Sequence, residues 1–282
     1  MRTLLIGGTS SLGIALKQVF SKFGETITAG RNNCDIPLNL NDSVENMNIP
    51  DGLDMIIHTA ASFGGATDTD ILDAEKINAL GTLKLCQLAS RASAKHFIMI
   101  SSIYSCLDEK SEYYNIYALS KRHAEDLARF YFSSHILPLT ILRPSQIYDT
   151  QESFRKHQPL FYLMVDKAAK GEDIEIYGSH DPRRNFIHVE DLAEIILKVA
   201  LGRIEGTYSC LHPIDITFSE IAQAAISAFN SMGTVRFLKD KEDILDNIFE
   251  KDDLLYQKIG FYPKISINDG MARIAHYRDA QL

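Results

Sequence analysis

Tyr117 and Lys121 stand four residues apart in Tyr117-Ala118-Leu119-Ser120-Lys121, inside a stretch of strongly helical pattern, so both side chains leave one face of a helix. A free tyrosine has a pKa of about 10 and is mismatched to proton transfer near neutrality, whereas a neighbouring ammonium favours the phenolate and lowers that value. Ser101 and Ser102 close an apolar run, where a hydroxyl can hydrogen-bond a carbonyl oxygen as charge develops on it. Each feature alone has an ordinary meaning. The Tyr-Lys spacing also describes a solvated helix face, and two serines after a strand also make a turn.

Proton chemistry of this kind needs a partner, and the start of the chain offers one. The run Thr3-Leu4-Leu5-Ile6 passes directly into Gly7-Gly8-Thr9-Ser10-Ser11-Leu12-Gly13 and then into a helical pattern. Glycines at such a turn let the backbone bend tightly and approach a pyrophosphate, whose charge meets the amides and dipole of the helix N-terminus. Ser10 stands where a middle glycine is expected, which narrows the cleft while offering a hydroxyl. The second strand ends at Ala29-Gly30-Arg31 with no carboxylate placed for a ribose 2′-hydroxyl. An arginine there suits a 2′-phosphate, favouring NADP over NAD, and it is equally at home in a solvated turn.

These residues require a frame that brings distant segments to one edge. Strands are predicted over 3–6, 25–29, 36–40, 54–58, 96–101 and 139–142, with helices over 12–23, 70–90 and 115–132. That alternation predicts an α/β fold of Rossmann type, a doubly wound parallel sheet covered on both faces, with ligands beyond the carboxyl ends of its strands. After Pro144 helical patterns dominate, as in Phe218, Ile221, Ala222, Ala225, Ile226 and Phe229, with short strands over 174–176 and 185–187 between them. The expected organisation is a dinucleotide-binding domain over 1–150 that also carries the catalytic residues, followed by a smaller, mainly helical substrate lobe over 151–282.

Composition narrows the classes. The chain has 282 residues, 45% apolar and 23% charged, enough to bury roughly three quarters of its extended surface, which excludes disorder and disulfide-stapled miniproteins. Lys and Arg number 29 against 37 Asp and Glu, a net charge of −8, which weighs against a basic nucleic-acid surface and leaves room for a local cationic pocket. Cys34, Cys86, Cys106 and Cys210 have neither CxxC spacing nor a histidine in zinc register, so no metal site is expected and a reducing compartment suits them. No run approaches the roughly 18 apolar residues of a membrane span, and the opening apolar run is too short for a secretory segment. A cytoplasmic protein without membrane contact is expected.

The motifs together carry a resemblance. The glycine turn, His58-Thr59-Ala60-Ala61, Asn78-Ala79-Leu80-Gly81-Thr82, Ser101-Ser102, the Tyr117 and Lys121 pair, Leu142-Arg143-Pro144 and Arg184-Asn185-Phe186-Ile187-His188-Val189-Glu190-Asp191 fall in the order and spacing of the extended short-chain dehydrogenase/reductases. More narrowly the chain resembles the NAD-dependent epimerase/dehydratase family acting on nucleotide sugars, down to Ile259-Gly260-Phe261-Tyr262-Pro263-Lys264 near the end. The resemblance implies a catalytic set of Ser102, Tyr117 and Lys121. It implies cofactor binding by Gly7, Ser10, Ser11, Leu12, Gly13, Arg31, Asn39, Leu40, Ala60, Ala61, Tyr117, Lys121 and Pro144, with Asn39 replacing an Asp that commonly reads the adenine amine. Ser102 and Arg184 would contact substrate, Arg184 matching the arginine that holds a diphosphate in many relatives.

Arg31, the Leu38-Asn39-Leu40 stretch, Ala60-Ala61-Ser62-Phe63-Gly64-Gly65 and Gly178-Ser179 are similar to the GDP-fucose synthase branch of NADPH-dependent 4-keto-sugar reductases. That branch carries an epimerising cysteine after its serine pair; here Ile103 follows Ser102, and His157 is off by one from the branch's histidine. The implied activity is reduction of the 4-keto group of a nucleotide-linked 6-deoxy sugar with NADP as cofactor. A 4-epimerase retaining NAD and a non-catalytic dinucleotide-sensing regulator are the alternatives, the latter weakened by retention of Ser102, Tyr117 and Lys121. A homodimer built on the helices over 70–90 and 115–132 is implied, with a nucleotide-diphosphate sugar as the other partner.

Overall fold

The structure is a computed structural model that describes residues 1–281. In chain order its strands and helices are β1 (Arg2–Ile6), α1 (Ser11–Phe20), β2 (Glu25–Gly30), β3 (Ile36–Pro37), β4 (Met55–His58), α2 (Asp68–Ala74), α3 (Gly81–Arg91), β5 (Phe97–Ile100), α4 (Ile116–His135), β6 (Leu139–Pro144), β7 (Gln146–Tyr148) and α5 (Pro159–Ala169). They continue as β8 (Ile174–Tyr177), β9 (Arg183–Arg184), β10 (Phe186–His188), α6 (Val189–Gly202), β11 (Gly206–Cys210), β12 (Ile216–Thr217), α7 (Phe218–Ala228), β13 (Val235–Leu238), α8 (Leu254–Ile259) and α9 (Ile267–Asp279).

Seven strands form one sheet in the order β11-β6-β5-β4-β1-β2-β3, every pairing parallel. Its central strands are buried on both faces: all four residues of β4 and of β5 are buried, apolar apart from His58, as helices on either side of a parallel sheet require. Leu4, Ile56, Phe97, Met99 and Ile141 meet Leu85, Leu88 and Ala89 of α3 and Ala124, Ala128 and Phe132 of α4 in one core cluster. The sheet order reverses at β1, whose neighbours are β2 and β4, which is the crevice where such folds bind ligands.

The elements depart from the expected ones in several places, three of which bear on the sheet and the site. The strand expected over 36–40 holds only two paired residues, Ile36 and Pro37, with Leu38 N–H donating to the Gly30 carbonyl just beyond them. The helix expected over 70–90 is interrupted at Glu75–Leu80 by a π-helical segment. Strand β11 was not anticipated, since Gly206-Thr207-Tyr208-Ser209-Cys210 is a short edge segment with little apolar pattern.

By backbone contacts the chain groups into two compact units. One comprises Met1–Pro144, Ala193–Cys210 and Asp253–Gly260, the other Ser145–Leu192, Leu211–Asp252 and Phe261–Leu282. The second unit packs α7 against α5 and α9 and holds three two-stranded sheets, β10-β7, β12-β9 and β13-β8. No helix among the described residues is long and apolar enough to cross a membrane. Among the same residues no His, Cys, Asp or Glu group is arranged to hold a metal ion.

Candidate active site

A cleft of about 280 Å³ opens at the carboxyl ends of β1, β2 and β4. Of the residues expected to bind a cofactor it is lined by Gly7, Ser10, Arg31, Asn39, Leu40, Ala60 and Ala61, joined by Thr9 and Ile77, which sequence reasoning had not singled out. Gly7 has φ +84°, and a Cβ there would lie 2.7 Å from both the Ala60 nitrogen and Thr59 Oγ1, so the turns after β1 and β4 approach as closely as only glycine permits. Gly13 serves packing, since a Cβ on it would meet the Gly7 carbonyl at 2.2 Å. Leu12 and Gly13 are buried in the first turn of α1 with Ser11 beside them, and Pro144 ends β6; none of these lines the cleft.

The Ser10 hydroxyl is engaged within the protein. It caps α1 by accepting from the Gly13 amide at 3.0 Å, and it lies 3.2 Å from Thr59 Oγ1. Because the Thr59 hydroxyl donates to the Ile6 carbonyl at 2.9 Å, Ser10 is the donor between the two. At the far end of the cleft Arg31 is exposed, and Asp35, the first carboxylate after β2, is spent on the Thr28 amide and hydroxyl at 2.8 and 2.7 Å. Glycine turn, helix N-terminus, apolar walls from Leu38, Leu40 and Ile77, and a cation at the rim together fit a dinucleotide.

The second group of residues gathers at the end of β5. Asn115 caps α4 by accepting from the Ala118 amide, which sets Tyr117 in the first turn and Lys121 one turn later. Ser102 is buried and accepts from the Tyr104 amide at 3.2 Å, and its hydroxyl acts on the Tyr117 hydroxyl in the direction that favours the phenolate. The Lys121 ammonium donates to the Ile100 carbonyl at 2.9 Å and lies 5.9 Å from the centre of the Tyr117 ring. Phe63 stacks on that ring at 4.8 Å, nearly parallel, while remaining 48% exposed.

The electrostatics differ from the simple expectation that the ammonium would lower the tyrosine. Burial pushes the Tyr117 hydroxyl up to about 12, against the hydrogen bond to Ser102 that lowers it. Burial likewise pulls the Lys121 ammonium down to about 8, against the charge of Glu125 that raises it. Desolvation is the largest effect on both groups, and the Lys121 ammonium is spent on a backbone carbonyl. His58 behind them is held near 3 by burial, with the Lys121 charge acting in the same direction, and is therefore neutral. Its Nε2 lies 3.1 Å from Thr82 Oγ1, and that hydroxyl donates to the Asn78 carbonyl.

Two supporting residues were not read as such from the sequence. Asn78, within the π-helical segment, accepts from the Ser62 amide at 2.8 Å and donates to the Ser62 carbonyl at 2.7 Å and to Ser120 Oγ at 2.9 Å, clamping the loop after β4 to α4. Glu125 is fully buried and collects donors from Ser101, Ser105, Arg129 and Arg143. Its position four residues after Lys121 continues the Tyr117 and Lys121 face, which is the signal that could have found it. Ile103, next after Ser102, is buried and carries no titratable group.

Arg184, expected to meet substrate, lies in the second unit and is 5% exposed. Its Nη1 donates to the carbonyls of Arg183 and Leu245 at 2.9 and 2.7 Å, and its guanidinium lies over Phe218 at 5.1 Å. Arg183 is exposed and paired with Asp246.

The family model described as NAD dependent epimerase/dehydratase family matches residues 3–207. The chain is 27% identical over 208 residues to CDP-abequose synthase of Salmonella muenchen, covering 70% of this chain and 69% of that one. It is 25% identical over 265 residues to a probable UDP-glucuronate 4-epimerase of Rhizobium meliloti (strain 1021), covering 80% and 74%. Among solved structures it is similar to the Bordetella bronchiseptica enzyme WbmF in complex with NAD+ and UDP, with a TM-score of 0.80 at 17% identity over 99% of this chain and 92% of that one.

Proposed function

The chain belongs to the NAD dependent epimerase/dehydratase family, and from that premise we propose that it is an NADPH-dependent reductase of the 4-keto group of a nucleotide-linked 6-deoxy sugar. The observation that carries this reading is the placing of Tyr117 in the first turn of α4 and Lys121 one turn behind, the latter donating to the Ile100 carbonyl two residues before Ser102. A tyrosine pushed up to about 12 is a protonated acid at neutral pH, the state needed to deliver a proton to an alkoxide. Ser102 orients the carbonyl oxygen beside that hydroxyl, and Lys121, charged below about 8, favours the anion left on Tyr117 after transfer. The reduced dinucleotide, when bound, supplies the hydride.

Gly7, Ser10, Asn39, Leu40, Ala60 and Ala61 would hold that cofactor, with Arg31 at its 2′-phosphate, a role supported by the lack of a free carboxylate after β2. Arg184 would hold the substrate diphosphate. Ile103 after Ser102 leaves that position without an acid or base for epimerisation, which favours reduction alone. The assembly would be a homodimer, supported by exposed Leu72, Leu80 and Phe130 on the segment from α2 to α3 and on α4.

Purified protein mixed with NADPH and a panel of nucleotide-linked 4-keto-6-deoxy sugars should consume the cofactor and yield the 4-hydroxy product. No consumption with any of them removes the reading. The likeness to the Rhizobium 4-epimerase supports a second one, a 4-epimerase that keeps its NAD through oxidation and re-reduction. Protein purified already loaded with NAD, and interconverting 4-hydroxy epimers without net redox change, would establish that instead.

A further inference from the structure

We propose that Glu125 is a positioning residue of the catalytic set, its carboxylate bracing the Ser102 turn against the helix that carries Tyr117 and Lys121. The inference rests on the reading of Ser102, Tyr117 and Lys121 as the reacting residues.

A carboxylate with no exposed side-chain surface is rare, and an apolar replacement of a buried ion pair is often no less stable, so its presence here asks for a reason beyond stability. The geometry supplies one. Glu125 Oε1 accepts from Ser101 Oγ at 2.5 Å and Ser105 Oγ at 2.7 Å, so a single oxygen grips the chain on both sides of Ser102. Between those anchors the turn closes on itself, the Ser105 amide donating to the Ser102 carbonyl at 3.0 Å and the Tyr104 amide to Ser102 Oγ. Arg143, at the end of β6, donates from Nε to Oε1 at 2.9 Å and from Nη2 to Oε2, while Arg129 donates to Oε2 at 2.8 Å. The carboxylate is thereby fully engaged, with its aim fixed.

One turn earlier on the same helix face, Lys121 donates to the Ile100 carbonyl. Helix α4 therefore holds the end of β5 at two successive residues, Ile100 through the ammonium and Ser101 through the carboxylate. The separation of Ser102 from Tyr117 is set by that double attachment. Displacement of a reacting group by about 1 Å can cost roughly 10²-fold in rate, so a brace at this point bears on turnover.

Charge adds a second effect. The groups facing Lys121 are Tyr117 and Glu125 on α4 and neutral His58 on β4, and of these Glu125 favours the ammonium. Removing its charge should lower the pH at which Lys121 loses its proton.

The test compares Glu125→Gln with the double variant Ser101→Ala/Ser105→Ala, which keeps the ion pair with Arg143 and so remains folded if the first does not. For each, turnover of the keto-sugar is followed against pH, and hydrogen exchange is measured at the Tyr104 and Ser105 amides in the protein alone. The serine variant should lose kcat on the order of 10²-fold with cofactor affinity unchanged, keep the wild-type alkaline limb, and exchange faster at those two amides while the core stays protected. Glu125→Gln should show the same losses and an alkaline limb moved to lower pH. Wild-type kcat and exchange in the serine variant would overturn the proposal, as would a Glu125→Gln whose alkaline limb does not move. If wild-type protein turns over no keto-sugar, the proposed function falls, and exchange at the two amides still decides the brace.

Discussion

At the scale of single residues, Tyr117 carries its proton at neutral pH, because burial favours its neutral form. Tyr117→Phe keeps the ring that stacks on Phe63 and deletes the transferable proton. It should reduce turnover by roughly 10²–10⁴-fold with cofactor affinity nearly intact, and activity within tenfold of wild type would remove the tyrosine from the chemistry. The pH dependence follows from Lys121: its charged form is lost as pH rises through about 8, so kcat/KM should fall through that range and hold steady toward neutrality. At the other end of the cleft, Arg31→Ala should weaken NADPH far more than NADH, since only NADPH offers a 2′-phosphate for charge-assisted hydrogen bonds. Equal weakening in a fluorescence titration would show that Arg31 does not discriminate.

At the scale of elements, the start of α1 shows how a departure from pattern is absorbed. The serine in place of a middle glycine caps the helix and ties the turn after β1 to Thr59 after β4, so it contributes order as well as a hydroxyl. Ser10→Ala should lower stability by about 1 kcal/mol, while Ser10→Gly should cost only a few tenths, a contrast readable by denaturant unfolding. The helices and most strands were legible because their signals are local: Asn115 before a helical run, glycines after an apolar one. The π-helical insertion at Glu75–Leu80 was not, because it accompanies the Asn78 clamp on Ser62, a contact between residues 16 apart that no periodicity reports.

At the scale of the whole molecule, the parallel sheet was legible because strands covered on both faces are continuous apolar runs, as Phe97-Ile98-Met99-Ile100 shows. The gathering of Ser102, Tyr117 and Lys121 was readable as motif and spacing. The Glu125 network was not, because its donors come from the end of β5, the turn beyond it and the end of β6. For the second unit, Arg184→Ala tests the proposed diphosphate grip: the substrate KM should rise about 10- to 150-fold with NADPH binding unchanged, from a loss of about 1.5–3 kcal/mol. A large effect from Arg183→Ala in its place would move the grip to the neighbouring residue. Strand β11 has a bearing on how the chain is made. It lies in parallel register on β6 as the last strand of the sheet, yet its residues come more than sixty positions after it, and the unit it completes takes in Asp253–Gly260 as well. During synthesis from the N-terminus, β6 must wait with one row of backbone donors and acceptors open until residues 206–210 leave the ribosome, and an open row of that kind invites pairing with another chain. A nascent or truncated chain that stops short of Cys210 thus leaves the row of β6 open, and in the finished protein that row is taken up by the five residues of β11.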